Sequence, residues 1–108
     1  MAVIWETVDR LGRTVVLTDE AWQHILESHG EFAPQPPDVL AGIALADLVR
    51  RDRNFVRRAI HYRNTGPGRR RLRVVVNYRP HEILGWSGEV VTAYFTGRRY
   101  RNEVQLWP

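Results

Sequence analysis

The chain has 108 residues, no cysteine and no lysine, and its 16 arginines against 12 acids give a formal net charge of +4. This length makes a single domain, residues 1–108, with a modest core, and the missing cysteine excludes a disulfide framework and any thiolate metal site. No segment approaches the roughly 20 apolar residues that span a bilayer, and Met1 to Glu6 lacks the basic start and apolar run of a signal peptide, so a cytoplasmic protein without a membrane partner is expected.

Val3 to Val8 and Arg13 to Leu17 are rich in β-branched residues, and Asp9-Arg10-Leu11-Gly12 between them has turn chemistry. This predicts a β-hairpin. Thr18 then reads as a helix N-cap, with Asp19 and Glu20 favourable in the first turn. The helix is expected to run to about His29, and Gly30 stops it. Trp22, Ile25, Leu26 and His29 project to one side, His24 and Ser28 to the other. A proline-containing loop from Phe32 to Pro37 precedes a second helix, which starts near Pro37 or Asp38 and carries Val39, Leu40 and Ile43.

From Leu48 the period changes. Phe55 to Arg63 alternates loosely, and Asn64 to Gly68 reads as a turn. Leu72, Val74, Val76 and Tyr78 share one face of a strand, with Arg71, Arg73, Val75 and Asn77 on the other. Arg79 to Gly88 reads as a turn, Glu89 to Thr96 as a strong strand, and Val104 to Trp107 as a short edge strand. Short turns favour antiparallel pairing. The expected fold is α+β: a hairpin and one or two helices packed on a twisted antiparallel sheet of about four strands.

Charge is unevenly placed along this order. Arg50 to Arg73 holds ten arginines and one acid, Asp52, a formal +9, whereas residues 1–49 carry two arginines and eight acids, a formal −6. A basic stripe interleaved with Phe55, Ile60, Tyr62, Leu72 and Val74 points to a folded surface for a phosphate-bearing partner. Arginine holds phosphate bidentately and stacks on bases.

Three segments carry a resemblance: Leu17-Thr18-Asp19-Glu20-Ala21-Trp22-Gln23-His24-Ile25-Leu26-Glu27-Ser28-His29, the approach to Tyr62-Arg63 followed by Leu72-Arg73-Val74-Val75-Val76, and Val91-Thr92-Ala93-Tyr94-Phe95-Thr96. In order and spacing the chain, from about Val15 to Arg99, resembles the small phage-associated and toxin-like nucleases of the barnase–EndoU–colicin–RelE superfamily. Gly30 stands where that family would have proline, a departure that touches the helix end. The resemblance implies a metal-independent endoribonuclease, a toxin or mobile-element effector without cofactor, acting on tRNA or mRNA and held by an acidic antitoxin or immunity protein.

Metal-free RNA cleavage needs a base for the 2′-hydroxyl, an acid for the leaving oxygen and fixed positive charge for the phosphorane. Histidine suits the first two roles. His24 and His29 lie about 140° apart around a regular helix, so they cannot both aim at one phosphate; the resemblance makes both candidates. Arg57, Arg58, Arg63 and Arg73 are candidates for phosphate binding. Thr92, Tyr94 and Thr96 share a strand face on which a hydroxyl orients phosphate or a ring stacks on a base. His61 shares a face with Arg57 and Arg63 if its strand is regular. The His24-to-His29 spacing is not the i, i+4 pair of a helical zinc site, and no HExxH, P-loop or nucleophile elbow occurs. A non-catalytic RNA-binding module, or a basic domain meeting an acidic protein, would use the same arginines.

Overall fold

Two strands open the chain in the computed structural model, which describes residues 2–65, 70–83 and 85–108. β1 (Val3–Val8) and β2 (Thr14–Thr18) form the expected antiparallel hairpin. Asp9 builds its turn: Oδ1 accepts from the backbone N–H groups of Leu11 at 2.9 Å and Arg13 at 2.8 Å. Gly12 takes φ 81°, a conformation that favours glycine.

Thr18 ends β2 and caps α1 (Asp19–His29), its hydroxyl accepting from Ala21 N–H at 3.1 Å. Gly30 closes the helix at φ 56°, its N–H bonding to the carbonyl of Leu26. One 3-10 turn, Gly30–Phe32, leads to α2 (Pro36–Ala44), whose start carries Pro36 and Pro37 in the first turn. On α1, Ile25 is the wholly buried anchor while Trp22 and Leu26 are partly covered, and His24 and Ser28 face solvent as their spacing predicts.

The remaining strands are β3 (Leu48–Asp52), β4 (Arg58–Asn64), β5 (Arg71–His81), β6 (Gly85–Thr96) and β7 (Glu103–Trp107). All seven form one mixed sheet in the order β1-β2-β6-β5-β4-β3-β7. This overturns the expected sheet of about four antiparallel strands beneath a hairpin and helices. The hairpin is part of the sheet, because β2 pairs parallel with β6 at Thr14↔Ser87, Val15↔Gly88 and Val16↔Glu89. β3 was not expected: its Leu-Val-Arg-Arg-Asp hides the alternation, yet it pairs with both β4 and β7. The β5–β6 hairpin also reaches further than expected, to His81 and Gly85. Part of the turn expected from Asn64 to Gly68 lies outside the described residues.

Alternation gives the sheet two unlike faces. Leu72, Val74 and Val76 of β5, aligned with Phe95, Ala93 and Val90 of β6, meet Ile25 of α1 and Val39 and Ile43 of α2 in the main core. The opposite face carries Arg71, Arg73 and Val75, aligned with Asn64, Tyr62 and Ile60 of β4 and with Thr96, Tyr94 and Thr92 of β6. Only a small apolar cluster of Ile60, Tyr62 and Val75 forms there. Arginine and tyrosine dominate the rest, and among the described residues no helical side chain joins that cluster.

Candidate nucleic-acid interface and catalytic histidine

Arg73 is the centre of the polar face. Its Nη2 donates to Glu103 Oε2 at 3.0 Å, its Nε to the Tyr62 hydroxyl at 3.1 Å and its Nη1 to the Tyr94 hydroxyl at 2.6 Å. Tyr62 in turn donates to Glu103 Oε1. The Tyr94 and Tyr100 hydroxyls are 2.9 Å apart, and the Arg73 guanidinium lies 4.0 Å above the Tyr100 ring. Desolvation opposes the Arg73 charge, but its bonds to Tyr62 and Glu103 outweigh it and raise the pKa above the usual arginine value. Burial, then the bond to Glu103, raises that of Tyr62. Burial and the contact with Tyr100 raise that of Tyr94. At Tyr100 burial pulls upward, but the hydrogen bonds from Tyr94 and Thr96 and the charge of Arg73 prevail and lower it. The Tyr94 hydroxyl accepts from Arg73, and either phenol can donate in the Tyr94–Tyr100 bond.

His29, the last residue of α1, stacks on Tyr94 with ring centroids 5.2 Å apart and planes inclined at 28°. Both border a pocket of ≈ 470 Å³ with Glu31, Arg70 and Phe95. Arg70 and Phe95 also border a neighbouring depression of ≈ 430 Å³ that includes Arg63. Around the same end of the sheet lies a broad cleft of ≈ 1110 Å³, lined by Arg50, Asn64, Arg71, Arg99, Tyr100 and Arg101. Arg71 stacks 4.2 Å above the Tyr62 ring, and Arg50 Nε is buried without a hydrogen-bond partner. No acid lines the cleft among the described residues. The end of β4, the start of β5 and the end of β6 thus gather a histidine, a tyrosine and an arginine-rich surface.

The expected site residues divide. His29, Tyr94 and Arg73 come together, and Thr92 lies two residues from Tyr94 on the same face. Arg63 shares their end but not their face: it pairs with Leu72, whereas Tyr62 aligns with Arg73 and Tyr94. His24 is exposed on the other side of α1 and cannot share a phosphate with His29. Arg73, expected to meet nucleic acid, is largely buried and already bound to Glu103. Arg57 sits in the turn before β4 and Arg58 begins the strand, so both lie roughly 20 Å from the Arg63 end by strand rise. They line a different pocket.

His61, expected at the nucleic-acid surface, is wholly buried. Alternation puts it on the main-core face, where its Nε2 lies 2.8 Å from the Tyr78 hydroxyl. Tyr78 donates to Asp9 Oδ2 at 2.7 Å, so its single proton is committed and His61 must supply Nε2–H. Arg13 Nε donates to the same carboxylate oxygen at 2.8 Å. Desolvation lowers the His61 pKa from 6.5 to about 4 and, with the bond to Asp9, raises that of Tyr78. Burial pulls Asp9 upward, but the bonds from Tyr78 and Arg13 and the Arg13 charge leave its pKa lowered. This relay joins the turn of the hairpin to the central strands.

Glu103, Tyr62, Tyr100, Arg50, Arg70, Arg71, Arg99 and Arg101 were not singled out as site residues from the sequence. One signal was present: Glu103 is the only acid after Glu89, in a tail that holds Arg98, Arg99 and Arg101. Among the described residues no three histidine, aspartate or glutamate side chains gather as metal ligands, and no helix is long and apolar enough to cross a membrane. Comparison with protein-family models, curated proteins and solved structures found no match to this chain.

Proposed function

We propose that the chain is a metal-independent endoribonuclease of the toxin or mobile-element type, which binds RNA along the arginine cleft and cuts it beside His29. The observation that carries this reading is the stack of His29 on Tyr94 at the edge of a surface bearing Arg70, Arg71, Arg99 and Arg101. Those arginines would hold successive phosphates and spread the charge of a phosphorane. Tyr100 offers a ring for a base. In the reaction His29 takes the proton of the 2′-hydroxyl, that oxygen attacks phosphorus, and the 5′-oxygen leaves with a proton. Tyr94, stacked on His29, is the residue we assign as its donor. The products are a 2′,3′-cyclic phosphate and a 5′-hydroxyl end. Arg73 acts as a positioning residue, fixing the Tyr94 hydroxyl.

A second reading is an RNA-binding module that cleaves nothing. It is favoured by His24 facing away, which leaves His29 the only histidine in this pocket among the described residues. Purified protein incubated with total tRNA and mRNA in EDTA separates the two. Cleavage with cyclic-phosphate ends supports the nuclease; a shifted but intact RNA supports the binding module. Cleavage of substrate lacking the 2′-hydroxyl overturns the mechanism. An acidic inhibitor protein on the cleft is compatible with either reading.

A further inference from the structure

On the other face and at the other end of β4 lies a second basic pocket, of ≈ 240 Å³. Arg13, Arg51, Arg57 and Arg58 line it, with no acid among its described lining residues. Neighbours in sequence, Arg50 and Arg51 serve different sites because β3 alternates: Arg50 lines the cleft and Arg51 this pocket. Val56, Trp86 and Leu106 add apolar walls, 71%, 43% and 42% exposed.

One of the guanidinium groups is held in place by its surroundings. Arg13 is anchored to Asp9 and lies 3.7 Å above the Tyr78 ring, while its Nη2 is buried without a hydrogen-bond partner. Arg58 borders the pocket at the start of β4, but alternation gives it the face of Ile60 and its guanidinium lies 4.6 Å above the Phe55 ring, so it is not counted among the anion donors. Arg13 is held from behind by the Asp9–Tyr78–His61 relay, so its orientation is set before any ligand arrives. The Arg13 side chain is 22% exposed, and that exposed part is open to an anion. Preorganised arginines beside an exposed indole suit an anion that also carries a flat ring. The volume is on the scale of one such unit.

We propose that this pocket binds a nucleoside monophosphate unit, its phosphate on Arg13, Arg51 and Arg57 and its base against Trp86. The unit is either a free mononucleotide or the 5′-phosphorylated end of a strand. This does not depend on RNA binding in the cleft, which lies on the opposite face.

The test is titration with 5′-AMP, adenosine and inorganic phosphate, followed by the Trp86 indole resonance and by calorimetry. AMP should saturate and bind at least about tenfold more tightly than adenosine or phosphate, a difference of about 1.4 kcal/mol. Trp86→Ala and Arg51→Ala should each weaken AMP about tenfold or more, whereas Arg99→Ala should leave it unchanged. Competition by a 5′-phosphorylated hexanucleotide, but not its 5′-hydroxyl form, assigns the site to strand ends; absence of competition by both assigns it to the free mononucleotide. No saturable shift of Trp86, equal affinity for phosphate and AMP, or loss of AMP binding in Arg99→Ala with retention in Trp86→Ala and Arg51→Ala would each overturn the proposal. The exposed Arg57→Ala variant provides a further check where Arg51→Ala perturbs β3.

Discussion

Arg73 of β5 and Glu103 of β7 form a 3.0 Å ion pair across two intervening strands. In a sheet those strands span roughly 14 Å, so the pair ties the centre of the polar face to its edge. Its side chains are 11% and 3% exposed. Removing one member leaves the other buried and uncompensated. Glu103→Ala should destabilise the fold by about 3–5 kcal/mol, measured by urea denaturation. Wild-type stability would show that Arg73 finds another acceptor.

The stack of His29 on Tyr94 makes the two α1 histidines unequal. His29→Ala should lower RNA cleavage about 10²- to 10⁴-fold with RNA affinity retained. His24→Ala, on the exposed side of the helix, should stay close to wild type. Comparable losses in both variants would mean that RNA engages α1 from outside. Tyr94→Phe removes the Arg73 and Tyr100 contacts but keeps the stack, and should lose rate without losing RNA affinity.

RNA affinity should fall steeply with salt, because arginine–phosphate contacts release counterions. Replacing Arg71, Arg99 and Arg101 together by alanine should reduce the slope of log K against log salt by about 2 to 3 in magnitude. The same replacement at Arg57 and Arg58, which lie in the other pocket, should change the slope far less. The reverse ranking would relocate the RNA track.

Acid should act through His61. Above pH 6.5 the site is neutral whether folded or unfolded. Between 6.5 and about 4 the unfolded chain binds a proton that the folded chain refuses, so stability falls as pH falls. The loss should reach on the order of 3 kcal/mol near pH 4. Asp9, with a lowered pKa, contributes its own loss below the usual 3.8. Denaturation midpoints from pH 8 to pH 4 test this: His61→Gln, whatever its absolute stability, should lose the slope between 6.5 and 4.

Gly88 faces Tyr78 across the β5–β6 pair. A Cβ there would lie 2.6 Å from Val76 Cγ1 and 2.7 Å from Tyr78 Cε1. Gly88→Ala should therefore cost about 1–3 kcal/mol by overpacking, and a thermal melt identical to wild type would mean that Tyr78 shifts freely.

Local signals explain what was legible. Thr18, Gly30 and the period of Trp22, Ile25 and His29 act within one helix turn, and Arg71, Arg73 and Val75 alternate within one strand. The hairpin and the faces of α1 and β5 followed from them. Pairings between distant segments left no such mark. Nothing in Thr14 to Val16 announces a parallel partner at Ser87 to Glu89, and Arg50-Arg51-Asp52 disguises an interior strand because its side chains serve two sites. The same limit applied to the site. The grouping of His29 with Tyr94 followed from segments whose local structure was legible, whereas Glu103 entered only through the pairing of β7 with β3. His61 was misplaced because its strand begins at Arg58 and its face turns inward.

The relay from His61 through Tyr78 to Asp9 joins residues 69 positions apart at its last step. The β3–β7 pairing that brings in Glu103 spans a comparable stretch, Asp52↔Glu103. Strands β3 to β7, which hold Arg50, Arg71, Arg73 and Glu103, need no help from the hairpin to align with one another. Arg13 and Asp9, by contrast, reach their places only when β2 docks on β6. The two basic surfaces thus differ in what completes them: strands β3 to β7 carry the cleft, whereas the second pocket also needs Arg13 of the hairpin.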